Sequence, residues 1–114
     1  MQLAPWLVGS LFALAATCAA AHAHLQQATP ADGSVLHAAP TQLELRFSEA
    51  TRLTVLWIES GGTRQAVRSL PEAAQTTIVV TLPALSPGSY VVSFRAIGTD
   101  GHVVPGQVHF TVSQ

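Results

Sequence analysis

The chain has 114 residues, 48% of them hydrophobic and only 10% charged, with five basic residues against six acidic ones and a formal net charge of −1. That length fits one small domain. Five arginines and no lysine make no basic run, which excludes the electrostatic footprint of a nucleic-acid binder and leaves little to draw the chain to an anionic membrane surface.

The mean hydropathy of +0.36 comes from an apolar excess at the N-terminus. Residues 7–21 are uncharged, but the run is shorter than the roughly twenty residues a spanning helix needs. Small residues with A-x-A spacing follow, as a secretory signal requires, because the peptidase pocket admits only small side chains at the third and first positions before the cut. Residues 1–23 are therefore expected to be a signal peptide and 24–114 the mature domain, although residues 1–6 carry no Lys or Arg. A cut before His22, after Ala19-Ala20-Ala21, also satisfies the small-residue rule; either cut exposes a histidine. Cys18 follows Ala15-Ala16-Thr17, which lacks the larger apolar residue usual three positions before a lipidated cysteine and has Thr where Gly or Ala is expected. The cut before His24 removes both the only cysteine and the only methionine, Met1. The exported domain then has no soft sulfur ligand and no disulfide, so its stability must come from a packed apolar core.

Period-two alternation recurs between turn clusters along the rest of the chain and predicts seven short strands in an all-β, immunoglobulin-like Greek-key sandwich. The first covers 25–29, before the turn material Pro30-Ala31-Asp32-Gly33-Ser34. The second, 42–47, sets Leu43, Leu45 and Phe47 inward and Gln42, Glu44 and Arg46 outward, the half-buried pattern of an antiparallel sheet. The third, 53–58, carries Trp57, read as a core anchor. After the turn Ser60-Gly61-Gly62-Thr63, 64–68 is a weak fourth and 76–82 a fifth, with Ile78, Val80 and Leu82 in phase. The sixth, 90–97, faces Tyr90, Val92, Phe94 and Ala96 inward and Arg95 outward. The seventh, 107–112, buries Val108, Phe110 and Val112. Residues 85–90, Leu-Ser-Pro-Gly-Ser-Tyr, match the tyrosine corner of such sandwiches, where a tyrosine near the start of a strand bonds back to upstream backbone.

If successive strands reverse direction, one pole gathers the start of the first strand, the end of the second and the loop between the sixth and seventh. His24, Glu49 and Asp100-Gly101-His102 then converge. An N-terminal His24 offers a metal both its α-amine and its Nδ1 in one six-membered chelate ring, with the amine deprotonating as the ion binds. Asp100 and His102 stand two apart on one side of an extended segment. Three nitrogens and a carboxylate oxygen, without sulfur, are a donor set that Cu(II) prefers. Taken alone, an exposed Asp-Gly pair is most often a plain turn, and the partnership with His24 gives this one its weight. Glu49 is either solvated beyond the strand end or at the mouth of the sandwich near the metal. His109 and His37 read as surface residues, and Asp32 as turn chemistry.

These residues carry a resemblance. His24-Leu25 leading to Thr29-Pro30-Ala31-Asp32-Gly33-Ser34, then Leu43-Glu44-Leu45-Arg46-Phe47-Ser48-Glu49, Pro87-Gly88-Ser89-Tyr90, and Asp100-Gly101-His102 with Gly106 and Phe110 behind it, resemble the copper resistance protein CopC family over essentially the whole mature chain. The resemblance implies a small periplasmic β-sandwich that binds Cu(II) through His24, Asp100 and His102, with the position of Glu49 near the metal in some members. Some family members also hold Cu(I) at a methionine-rich segment, and residues 24–114 contain no methionine, which suggests the Cu(II)-only branch. The resemblance also implies an inner-membrane partner of the CopD type, expected here as a separate protein because no further apolar segment precedes Gln114.

The expected function is a carrier or buffer of copper without turnover, and no enzyme. Two alternatives stand beside it: a copper monooxygenase using the same N-terminal histidine, and a plain sandwich module for protein contact.

Overall fold

The computed structural model describes residues 23–114, and every regular element in them is a strand. The strands are β1 (Leu25–Thr29), β2 (Ser34–Leu36), β3 (Gln42–Ser60), β4 (Thr63–Ala66), β5 (Gln75–Thr81), β6 (Gly88–Gly98) and β7 (Val103–Val112). The signal-peptide expectation lies outside the described residues except at Ala23.

The sandwich is built around β3, which belongs to both layers. Its first half pairs antiparallel with β1 and β5, and its second half with β4 and β6. Beyond β6 the second layer continues through antiparallel β7 to the short parallel strand β2. The strands expected at 42–47 and 53–58 are thus one continuous strand. The small and polar run Ser48-Glu49-Ala50 marks the crossing between layers rather than a loop, and the β3–β5 register shifts between Arg46 and Thr51.

A second irregularity, between Leu53 and Val55 in the β3–β6 ladder, reverses the inward phase. Leu43, Leu45, Phe47 and Leu53 point into the core, and beyond the shift the buried residues are Leu56 and Ile58. This corrects the reading of Trp57, which lies on the outer face, half-buried, with the Arg64 guanidinium 4.0 Å above its ring. An extra residue in a strand redirects every side chain after it. Two further differences are local: β2 is a strand where none was expected, and β7 begins at Val103, four residues earlier than the alternation of 107–112 suggests.

The other inward sets are as the alternation predicts. Ile78, Val80, Leu82, Tyr90, Val92, Phe94, Ala96, Val108, Phe110 and Val112 join those of β3 in one core cluster. Each fully buried Val, Leu or Phe contributes about 1.5–3 kcal/mol relative to exposure. Phe47 meets Phe94 edge to face at 5.9 Å, and Tyr90 stacks on Phe110 at 5.5 Å. The Tyr90 hydroxyl donates to the Ser86 carbonyl at 2.5 Å, completing the tyrosine corner. Phe94 faces Gly106 across the β6–β7 ladder, and a Cβ on Gly106 would stand 2.4 Å from Phe94 Cζ. The ring therefore occupies the space that a side chain there would need.

Candidate metal centre

The pole is assembled by backbone pairing. The Ser48 N–H donates to the His24 carbonyl at 2.9 Å, which fastens the residue preceding β1 to the crossing of β3. Three residues on, Thr51 pairs with Gly98 at the end of β6. The segments carrying His24, Glu49 and the 99–102 loop are thereby brought to one end of the sandwich.

At His24, the backbone N–H donates to Ser48 Oγ at 3.0 Å, and Ser48 Oγ lies 3.2 Å from His24 Nδ1. A hydroxyl can accept from the first and donate to the second, an arrangement that puts the lone pair of the ring on Nδ1. Ser48 thus orients both nitrogens of His24 toward one point. Ser48 is not among the residues expected from the sequence to act at the site; its place in the Phe47-Ser48-Glu49 run is the one signal by which it could have been found.

Opposite, the β6–β7 connection is a tight turn. The Gly98 N–H donates to the His102 carbonyl and the Gly101 N–H to the Gly98 carbonyl, both at 3.0 Å. Gly101 has φ +85°, a left-handed conformation that a side chain resists. This turn folds Asp100 back on His102: Oδ1 accepts from the His102 backbone N–H at 3.0 Å, and Oδ2 stands 2.9 Å from His102 Nδ1. With the proton on Nδ1, the lone pair of the His102 ring is on Nε2. A carboxylate that holds the other ring nitrogen of a histidine fixes its tautomer and raises its basicity as a ligand.

Gly98 joins the two halves. A Cβ built there would lie 3.1 Å from Asp100 Oδ1 and 3.5 Å from the Ala23 methyl, so Ala23 and the Asp100 carboxylate both lie against this one residue. Glu49 is half-buried at the crossing. Among the described residues, no three of His, Cys, Asp and Glu stand together as a ready metal cluster.

The remaining histidines lie elsewhere. The His109 backbone N–H and Nδ1 both reach Asp32 Oδ1, at 2.7 and 3.0 Å, while Gly33 N–H donates to the His109 carbonyl at 2.6 Å. These bonds hold the Asp32 carboxyl below the usual carboxylate range. Asp32 therefore clasps the β1–β2 turn to β7, which is more than local turn chemistry. His37 Nδ1 lies 3.2 Å from Ser113 Oγ.

Comparison with known proteins decides the family. The CopC domain family model matches residues 25–113. The chain belongs to the CopC family. Among relatives, it is 32% identical over 115 residues to copper resistance protein C of Pseudomonas syringae pv. tomato, covering 87% of this chain and 86% of that one. It is 33% identical over 98 residues to protein YobA of Escherichia coli strain K12, covering 81% and 79%. Among solved structures, CopC from Methylosinus trichosporium OB3b superposes with a TM-score of 0.65 at 30% identity, covering 81% of this chain and 94% of that one. PcoC, a methionine-rich copper resistance protein from Escherichia coli, gives 0.62 at 30% identity, covering 82% and 100%. CopC membership agrees with the all-β fold and with the motifs gathered at the pole.

Proposed function

We propose that the chain is exported to the periplasm, cut before His24, and binds one Cu(II) there through the His24 amine and Nδ1, Asp100 and His102, with Glu49 at the margin of the site. The observation that carries this reading is the turn of both His24 nitrogens toward the one Ser48 hydroxyl. A chelating histidine needs that conformation. In the uncut chain the His24 nitrogen belongs to a peptide bond, and the Ala23 methyl lies against Gly98 beside Asp100. Cleavage would free the nitrogen and clear that methyl in one step, allowing the His24 and Asp100–His102 halves to close on an ion.

The ion is cargo. Two histidines, an amine and carboxylates form a nitrogen and oxygen set suited to Cu(II), whereas Cu(I) favours thiolate or thioether sulfur. The relative PcoC is described as methionine-rich; residues 24–114 here contain neither Met nor Cys. The protein therefore carries or buffers the divalent ion in copper resistance or homeostasis, without turnover, and passes it to a partner such as a CopD-type inner-membrane protein.

Electron paramagnetic resonance of the exported chain with one equivalent of Cu(II) tests the donor set. A single tetragonal species with nitrogen hyperfine structure, perturbed in His102→Ala, is expected. A spectrum unchanged by His102→Ala would remove this residue from the site and the reading with it.

A further inference from the structure

The register shift at Leu53 and Val55 turns Val55 and Trp57 onto the outer face of the β4–β3–β6–β7 layer. Cross-strand pairing then sets out rows on that face: Val55, Arg95 and Pro105; Trp57, Ser93 and Gln107; and, toward the metal loop, Ile97 and Val103. Two well-exposed apolar side chains fall here, Val55 at 38% and Val103 at 58%. Between the rows runs a shallow groove of about 460 Å³, lined by Trp57, Arg95, Pro105 and Gln107 among others.

We propose that this face is a docking surface for an acidic, partly apolar segment of another protein, which lies along the β6–β7 hairpin and ends against the Asp100–His102 loop.

The charge on the face selects the occupant. Arg95 lines the groove and Arg64 stacks over Trp57 at its edge, while no carboxylate lines the groove. The nearest acid in the ladder, Glu59, is paired with Arg64 at 3.5 Å, so that pair is close to neutral and the net positive charge of the groove comes from Arg95. The Arg95 guanidinium beside exposed valines and an indole suits a carboxylate flanked by apolar side chains, since arginine and tryptophan are common anchors of protein interfaces. The floor itself asks for nothing: Ser93 is 7% exposed and its hydroxyl accepts from Gln107 Nε2 at 3.2 Å. A saccharide would need an open ring face, and the Arg64 guanidinium covers one face of Trp57. A second copy meeting this face about a two-fold axis would bring two net-positive grooves together, a like-charge approach that disfavours self-association.

The Arg95–Pro105 and Ile97–Val103 rows are two residues apart, about 7 Å along the strands, and the loop follows directly. An occupant of the groove therefore sits beside His102. The use of this contact for handing over copper rests on the function proposed above; the docking itself does not.

The test is site-specific photo-crosslinking in cells that export the full chain, with the reactive residue in place of Val55 or Val103. Val79, 43% exposed on the other layer, serves as the control position. The proposal expects the same protein captured from Val55 and Val103 but not from Val79, with the adduct mapping to a segment of net negative charge. It further expects the Arg64→Glu, Arg95→Glu double variant to reduce capture at least about tenfold, while its circular dichroism and Cu(II) titration stay unchanged. Absence of any adduct, equal capture from Val79, adducts that survive the charge reversal, or adducts to lipid, to a second copy or to a basic segment would each overturn it. If capture behaves as expected but the wild-type chain binds no Cu(II), the docking face stands and the copper reading falls; the reverse pattern removes the docking face alone.

Discussion

The Ser48 hydroxyl lies 3.0 Å from the backbone nitrogen of His24 and 3.2 Å from its Nδ1, so one side chain on the crossing of β3 sets the conformation of the residue preceding β1. Once His24 is N-terminal, its amine can keep a hydrogen bond to Ser48 Oγ while Nδ1 turns to a metal. Ser48→Ala is therefore expected to weaken Cu(II) binding about tenfold, the low end of what losing a hydrogen-bond partner costs a metal ligand. The melting temperature should hardly move. A competition titration measures the first and a thermal scan the second.

The ligand residues should rank by what each loses. His24→Ala removes the ring nitrogen and the six-membered chelate together and should weaken Cu(II) binding most. Asp100→Asn should weaken it least, because an amide oxygen still coordinates, although the hold on His102 Nδ1 loosens. His102→Ala should fall between them. Isothermal titration of the three variants checks the order, and a larger effect from His109→Ala would move the site to the other histidine.

Gly106→Ala is expected to destabilise the fold by about 1–3 kcal/mol, the usual range for overpacking. The added methyl would stand 2.4 Å from Phe94 Cζ, and the Phe94 ring is held in the core against Phe47. A urea midpoint lowered in Gly106→Ala and restored in part by adding Phe94→Leu would show that the clash is with this ring.

Acid should loosen the clasp between Asp32 and His109. Hydrogen bonds from the His109 backbone and ring hold the Asp32 carboxyl below its ordinary value, so as pH falls the unfolded chain takes up this proton before the folded one does. The stabilisation is complete above about pH 4 and is lost as pH falls through the lower, folded value. Denaturant midpoints measured from pH 2 to 6 should converge for wild type and Asp32→Asn at the acid end and separate above it. Because the pair is exposed, added salt should shrink the separation.

The core faces were legible because alternation is a local signal: Leu43, Leu45 and Phe47, or Val108, Phe110 and Val112, need only their own neighbours to be read. The tyrosine corner at Tyr90 was legible for the same reason. The fate of Trp57 was not, because one shift in the ladder after Leu53 reverses the phase and nothing in the local residues announces it. The unity of β3 was hidden by Ser48-Glu49-Ala50, a run that looks like a loop but carries a strand from one layer to the other. Asp32 and His109 lie far apart in sequence, so their pairing depends on the parallel docking of β2 on β7. At the pole, His24 and the Asp100–His102 turn stood out by chemistry and spacing, whereas Ser48 and Gly98 act through contact alone.

Trp57→Ala accordingly should cost less than the 3–5 kcal/mol typical of a buried aromatic. Part of the loss comes from the Arg64 contact, a cation–π pairing worth about 0.5–1 kcal/mol at an exposed site. Urea unfolding followed by circular dichroism, with Arg64→Ala as the paired single variant, separates the two contributions.

A free amine on His24 completes the proposed metal centre, and the most direct measurement is the Cu(II) affinity of two chains that differ by one residue. One begins at His24 and the other retains Ala23, which returns the His24 nitrogen to a peptide bond and the methyl to its place against Gly98. Removing a mere hydrogen-bond partner of a metal ligand already costs about 10–100-fold in affinity, so loss of the amine itself should weaken binding by at least about a hundredfold. Equal Cu(II) affinity in the two chains would contradict the account.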